Sequence, residues 1–264
     1  MTALDIPATT AGADTGVRRH FLGAPFDGID QDAFVDLVER TAGGKFRYVV
    51  TPNVDHVVRL SGNRGLVPCY DEAWMSLCDS KPISSLAHVL SLDLPHVTGS
   101  DLTARLFKSV IRDGDVVALI ASDTGVVRSL EAVYPTIRFR SHVPPRGVLH
   151  DPAAFAACVD FAAAEAARFV FIAIGSPQSE KIAHAISQRP DASGIGLCIG
   201  ASLEFLVGSK TRAPLWMQRW GLEWAHRLGT DPRRLWRRYV FAVAPLARLF
   251  LRELVTRRPP GKAT

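Results

Sequence analysis

The chain has 264 residues, 47% of them hydrophobic, with 31 Lys+Arg against 26 Asp+Glu. That apolar content belongs to a folded globular protein with ample core, which excludes a mainly disordered chain. Cys69, Cys78, Cys158 and Cys198 form neither a CxxC nor a paired metal spacing, so they read as free thiols in a reducing compartment, not as a disulfide scaffold.

Residues 1–17 (MTALDIPATTAGADTGV) contain small residues and no apolar run, the pattern of a flexible leader and not of a signal peptide. A helical stretch follows over 31–42, then a short strand-like run, Phe46–Val50, that exits into Thr51-Pro52-Asn53-Val54-Asp55-His56. Threonine and asparagine there can hydrogen-bond a sugar or base, and both are also ordinary turn formers. The apolar run Trp74–Cys78 closes on Asp79, which reads either as a helix N-cap or as a general base in a cleft of reduced polarity. His96-Val97-Thr98-Gly99-Ser100-Asp101 then precedes a helix over 101–112, where free amides attract anions and where Ser100 or Asp101 can equally be a cap.

A turn dipeptide opens a second strand, 113–122, and an Ala-rich helix over 152–167 leads into a third, Arg168–Ile174 (RFVFIAI). Its exit, Gly175-Ser176-Pro177-Gln178-Ser179-Glu180, has glycine for close approach, proline suited to position N1 and an acid in the first turn of a helix over 178–188, the composition of a generic anion cradle. The fourth strand, Ile195–Ile199, exits into Gly200-Ala201-Ser202 and repeats that logic. Gly194, Gly196 and Gly200 lie within and around a strand instead of following one, so they fail the structural test of a dinucleotide fingerprint, and no nicotinamide cofactor is expected. No GxxxxGK[ST], HExxH or GxSxG occurs, and no metal site is expected. Continuous apolar strands alternating with helices predict a Rossmann-like, mostly parallel α/β sheet covered on both faces, with its ligand at the carboxyl ends of the strands.

Charge and tryptophan are concentrated beyond that core. Residues 209–264 carry 13 Lys+Arg against 3 Asp+Glu, and the preceding 208 residues 18 against 23. Trp216, Trp220 and Trp224 recur every fourth residue, which stacks them on one helical face, among Arg212, Arg219, Arg227, Arg233, Arg234, Arg237 and Arg238. Asp231-Pro232-Arg233-Arg234 reads as N-cap, N1 proline and two cations in a first turn, where the helix dipole disfavours positive charge. Arginines that break the local rule are candidates for anion binding. Leu235, Trp236, Tyr239, Val240, Val243, Leu246 and Phe250 then form an apolar face with basic flanks, suited to a membrane interface or to packing on the body. The longest apolar stretch nearby, Tyr239–Ala247, is far short of the roughly 20 residues of a spanning helix. The expected organisation is a leader (1–17), an α/β core (18–208), a basic helical appendage (209–255) and a disordered tail (256–264). A nucleic-acid-binding protein would use the basic tail and aromatics for phosphate contacts and stacking, and a non-catalytic membrane scaffold would use them for anchoring.

TPNVDH, the Asp79 region, HVTGSDL, IGSPQSEK, IGASLEFLVGSKTRAPLWMQRWGLEW and RLGTDPRRLWRRY stand in the order and approximate spacing of the WecG/TagA/CpsF glycosyltransferases, glycosyltransferase family 26, over about residues 20–245. The resemblance implies an inverting, metal-independent transferase without cofactor that moves a sugar, typically N-acetylmannosamine, from a UDP donor to a polyprenyl-diphosphate-linked sugar. It implies action at the cytoplasmic face of a bacterial inner membrane, an anionic surface as partner, room for a homo-oligomer and no nucleic acid. Asp79 matches the family's proposed general base. Thr51 and Asn53 match its donor-lining Thr-x-Asn, and His96, Gly99, Ser100, Asp101, Gly175, Ser176, Pro177, Gln178, Ser179, Glu180, Gly200 and Ala201 fall on its donor-side elements. Arg212, Arg219, Arg227, Arg234, Arg237 and Arg238 fall on an appendage that folds over the site and brings arginines to the diphosphates. The chain departs from the pattern at Ser80, where glycine is usual, at Lys81-Pro82-Ile83-Ser84-Ser85, at Gln178-Ser179 in place of Lys-Gln, and at His96 in place of arginine. These changes bear on donor identity and not on reaction class.

Overall fold

The protein is described from a computed structural model that covers residues 17–41, 43–214, 216, 217, 220, 223–230 and 232–257, without the side chains of Arg227, Arg234, Leu235, Arg237, Arg238 and Tyr239. The chain opens with a hairpin, β1 (Arg18–Phe21) and β2 (Ala24–Asp27), that turns at Leu22 and Gly23 with φ of 55° and 79°, the left-handed pair of a two-residue hairpin loop. A six-stranded all-parallel sheet follows, in the order β4 (Met75–Ser76), β3 (Arg47–Val50), β8 (Ile195–Cys198), β7 (Phe169–Ala173), β5 (Val116–Ala121) and β6 (Arg138–His142). The hairpin covers the short β4 edge: Ser76 donates its N–H to Asp27 at 2.7 Å and its hydroxyl to the Pro25 carbonyl at 2.6 Å. That tie leaves less of the edge open to a foreign strand.

Strand residues alternate between two cores. Tyr48, Val50, Ala118, Ile120, Val170, Ile172 and Cys198 face one side, where α2 (Val54–Gly62), α3 (Pro68–Asp71), α4 (Lys81–Val89), α7 (Pro152–Ala164) and α8 (Gln178–Ser187) pack. Val49, Val117, Leu119, Phe169, Phe171 and Leu197 face the other, against α1 (Gln31–Arg40), α5 (Gly99–Ser109), α6 (Thr124–Val133) and α9 (Ser202–Leu206). Both faces are therefore dry, which is why the strands read as continuous apolar runs. The glycines of β8 are packing devices: a Cβ at Gly194, where φ is +94°, would overlap the Ala167 carbonyl oxygen, and one at Gly196 would overlap the Phe46 ring.

Beyond the core come α10 (Glu223–Thr230) and α11 (Pro232–Thr256). Pro232 begins α11 as the sequence leads one to expect, while Asp231 lies outside the described residues. The apolar face expected along this helix divides. Leu246 and Phe250, with Leu249, pack on the core beside α2, and Glu253 accepts the Leu22 N–H at 2.8 Å. Trp236, Val240 and Val243 point outward. Leu235 and Tyr239 belong to the side chains not described.

Candidate active site

Three strand exits and one helix start meet at the carboxyl end of the sheet. Thr51, just past β3, donates its hydroxyl to the Cys198 carbonyl of β8 at 3.2 Å, and Asp79, past β4, donates its N–H to the Pro52 carbonyl at 3.1 Å. The Val97 N–H donates to the Cys78 carbonyl at 2.9 Å, which brings the His96–Asp101 segment alongside. Gly99 then fits under the exits: a Cβ there would lie 3.1 Å from the Ser202 hydroxyl and 3.4 Å from that of Thr51. Ser202 donates to the Ile199 carbonyl at 2.6 Å and lies 3.4 Å from the Ser100 hydroxyl. Thr51, Gly99, Ser100, Gly200 and Ala201 are thus neighbours by construction, with Asp79 half-buried at the edge of the group.

The helix caps differ from those expected. Asp79 caps nothing, because Ser80 is the N-cap of α4 and its hydroxyl accepts the Ile83 N–H at 3.3 Å. Asp79 stands one residue earlier, at the strand exit. Thr98 caps α5, in place of Ser100 or Asp101: its hydroxyl accepts the Asp101 N–H at 3.0 Å and donates to the Asp101 carboxylate at 2.6 Å. Pro177 follows a cis Ser176–Pro177 bond and occupies the N-cap of α8, not N1.

Two residues expected on different ligands are partners. Arg212, the first arginine of the appendage, donates through both terminal nitrogens to the Asp101 carboxylate at 2.5 and 3.3 Å. Burial works against the charge on Asp101, but bonds from Arg212 and Thr98 outweigh it and hold this carboxyl below its ordinary value. Arg212 is shifted up by the Asp101 bond against its own burial, and it also feels the charges of Glu223 and Asp79. Its Nε is buried without a hydrogen-bond partner. His96 stands at the rim, its imidazole shifted down by crowding and by Lys81 against the pull of Glu223 and Asp101. Among the described residues, Arg212 thus stands in the combined field of Asp79, Asp101 and Glu223, with His96 and Lys81 close by, so the charge here is set by the C-terminal segment as much as by the core.

The Gly175–Glu180 exit is less simple than an anion cradle. Gly175 takes φ +84°, which returns the chain into α8, but Glu180 is 3% exposed and aims its carboxyl inward. Burial pushes that carboxyl up to about 7, opposed by its own backbone amide, Ser176, Arg59 and Tyr70. Ser179 is likewise buried, and neither its hydroxyl nor Gln178 Oε1 makes a hydrogen bond among the described residues. Glu180 therefore lies behind the cleft and not on its surface. Facing it are His56 and Arg59 of α2, which sequence reasoning passed over although their spacing after Asn53 signals an N-cap followed by one helical face. Asn53 caps α2 by accepting the Asp55 N–H at 3.0 Å, and its own N–H donates to His56 Nδ1 at 3.2 Å. Arg219 lies outside the described residues, as do the side chains of Arg227, Arg234, Arg237 and Arg238, so the diphosphate role expected of them has no geometry here.

On the outer surface Trp216, Trp220 and Trp224 are 58%, 79% and 47% exposed, in company with Trp236, Val240, Phe241, Val243, Leu251 and Val255 along α11. Among the described residues no helix is long and apolar enough to cross a membrane.

A doubly covered parallel sheet defines a Rossmann-like α/β protein, and the polar residues gathered at the carboxyl ends of its strands are its candidate ligand site. The chain belongs to the glycosyl transferase WecG/TagA/CpsF family, whose model matches residues 19–260. It is 36% identical over 115 residues to an N-acetylglucosaminyldiphosphoundecaprenol N-acetyl-beta-D-mannosaminyltransferase of Bacillus subtilis (strain 168), a match covering 43% of this chain and 42% of that protein. A protein of the same name from Bacillus spizizenii (strain ATCC 23059 / NRRL B-14472 / W23) is 40% identical over 80 residues, 30% of each chain. The aligned stretches thus span less than half the length of these curated relatives.

Proposed function

We propose that the protein transfers N-acetylmannosamine from a UDP donor to N-acetylglucosamine on undecaprenyl diphosphate, with inversion, in the synthesis of a bacterial surface glycan. The observation that carries this reading is the place of Asp79, a half-buried carboxylate just past β4 at the carboxyl end of the sheet and in the field of Arg212. The acceptor hydroxyl oxygen attacks the anomeric carbon, its proton passes to Asp79, and the bond from that carbon to the UDP oxygen breaks on the opposite face. Negative charge grows on the leaving diphosphate. The start of α5, with its amides beside Gly99 and Ser100, and the buried Arg212 Nε are the donors at hand to meet it. Both relatives carry names that specify this sugar transfer and this lipid acceptor.

The appendage completes the site and seats it on the membrane. Its exposed tryptophans and the outward stripe of α11, flanked by Arg233, Arg248 and Arg252, have the composition of an interfacial surface at an anionic cytoplasmic leaflet. His96 and Gln178, where the chain departs from the family pattern, are the positions to which this reading assigns donor selectivity. The test is a panel of UDP-sugars offered with a short-chain prenyl-diphosphate N-acetylglucosamine acceptor in detergent. Transfer from UDP-N-acetylmannosamine above all others is expected, and turnover with none of them overturns the assignment.

A further inference from the structure

Between the cleft and the core lies a sealed polar cluster that the proposed chemistry does not use. Glu180, at the start of α8, is faced by His56 and Arg59 from α2, Tyr70 and Cys69 from α3, Ser176 from its own loop and Cys198 from β8. Arg59 binds the Ser176 carbonyl at 2.7 Å and the Asp55 carboxylate at 2.9 Å, so α2 and the Gly175–Glu180 loop are fastened to each other. His56 Nε2 stands 3.9 Å from Glu180 Oε1. The opposite ring nitrogen, Nδ1, accepts the N–H of Asn53.

This is a capping box with histidine at N3, where glutamate or glutamine is usual. The substitution matters because a carboxylate or amide always has an oxygen to offer, whereas imidazole accepts at Nδ1 only when its proton sits on Nε2. We infer that Glu180 is a positioning residue: its carboxylate holds His56 as the Nε2–H tautomer, which keeps Nδ1 open to Asn53 and fixes the β3–α2 loop that lines the donor side of the cleft. The inference rests on the donor-site reading of Asn53. Whichever member of the pair takes a further proton, the box weakens. A neutral Glu180 no longer selects the tautomer, and a doubly protonated His56 has no acceptor left. Because Glu180 is pushed up to about 7, the change falls near neutrality.

Two measurements on the full-length protein test this. In the first, the nitrogen-15 signals of His56 report its tautomer at pH 8. The wild type should show a protonated Nε2 and an unprotonated Nδ1, and Glu180→Gln should show a mixture. In the second, KM for the UDP-sugar is followed between pH 6 and 8.5. It should rise about 5-fold on acidification in the wild type, the equivalent of one neutral hydrogen bond. In Glu180→Gln it should be raised by a similar factor at all pH, with little change in kcat. His56→Asn supplies an acceptor that needs no tautomer, so in that background Glu180→Gln should cost nothing. An unchanged tautomer in Glu180→Gln overturns the inference, as does an equal rise of KM in both backgrounds. Should no UDP-sugar be turned over, the functional proposal fails while the tautomer measurement still decides the positioning role.

Discussion

At the residue scale, the buried acid and the strand-exit acid do different work. Glu180 is raised from 4.5 to about 7, so between those values the folded protein holds a proton that the unfolded chain has released. Stability therefore falls as pH climbs through this window, and the full cost is present above it. Glu180→Gln removes that cost. Its melting temperature should exceed the wild type's at pH 8, with a gain of up to about 3 kcal/mol, and the difference should vanish below about pH 4.5. A constant difference across pH would mean that the carboxyl titrates alike in the native and unfolded states. If Glu180 positions the donor loop as inferred above, stability and donor binding pull in opposite directions at one residue. Asp79, Thr51 and Asn53 were legible in the sequence because polar residues at the exits of apolar runs stand out. Glu180 was noticed too, but its place behind the cleft was not. Burial and the approach of α2 are tertiary facts, and an acid in a first helical turn is locally satisfied by the dipole alone.

At the scale of elements, the four strongest strands and four helices were legible because both faces of the sheet are dry and their residues form unbroken apolar runs. Strand β6, with the sequence RFRSH, lies at an open edge and stays largely exposed, so it has neither run nor clean alternation. Strand β4 is two residues long and exists by pairing with β3 and by its bonds to the hairpin. The apolar run Trp74–Cys78 marked its place, but only its neighbours make it a strand. The close approaches around glycine give two contrasting expectations. Gly194→Ala sets a Cβ against the Ala167 carbonyl at a left-handed φ, and should cost more than about 2 kcal/mol, read as a fall in melting temperature. Gly99→Ala meets the Ser202 and Thr51 hydroxyls at 3.1 and 3.4 Å and the Ile199 carbonyl oxygen at an ordinary 3.7 Å. It should leave the melting temperature nearly unchanged while raising KM for the donor, and a loss of fold instead would make this glycine structural.

At the scale of the whole molecule, the appendage ties distant parts together. Arg212 binds Asp101 at the cleft, α10 brings Glu223 near it, and α11 runs back along α2 to the hairpin turn, where Glu253 holds Leu22. The helix that offers its outward stripe to solvent therefore packs on the helix that carries His56 in its first turn and Arg59 in its last. The concentration of tryptophan and arginine was plain in the sequence, but its division was not. The inward residues Leu246 and Phe250 and the outward residues Trp236, Val240 and Val243 share one apolar period, and only docking on α2 separates them. Charging the outward set tests its role. Trp236→Glu with Val240→Glu should abolish sedimentation with phosphatidylglycerol vesicles and leave the melting temperature within about 1 °C, since both side chains are exposed. Undiminished sedimentation would remove the stripe from the membrane account.

The proposed chemistry hangs on the Asp79 carboxylate, just past β4. Asp79→Asn keeps the shape of the side chain and its backbone bond to Pro52 but cannot take the acceptor's proton. The most direct measurement is transfer from UDP-N-acetylmannosamine to the prenyl-diphosphate acceptor in a single turnover, wild type against Asp79→Asn, with binding of UDP followed in parallel. The account predicts a rate lower by about 10²- to 10⁴-fold at unchanged UDP affinity. A variant that transfers the sugar at the wild-type rate would contradict it.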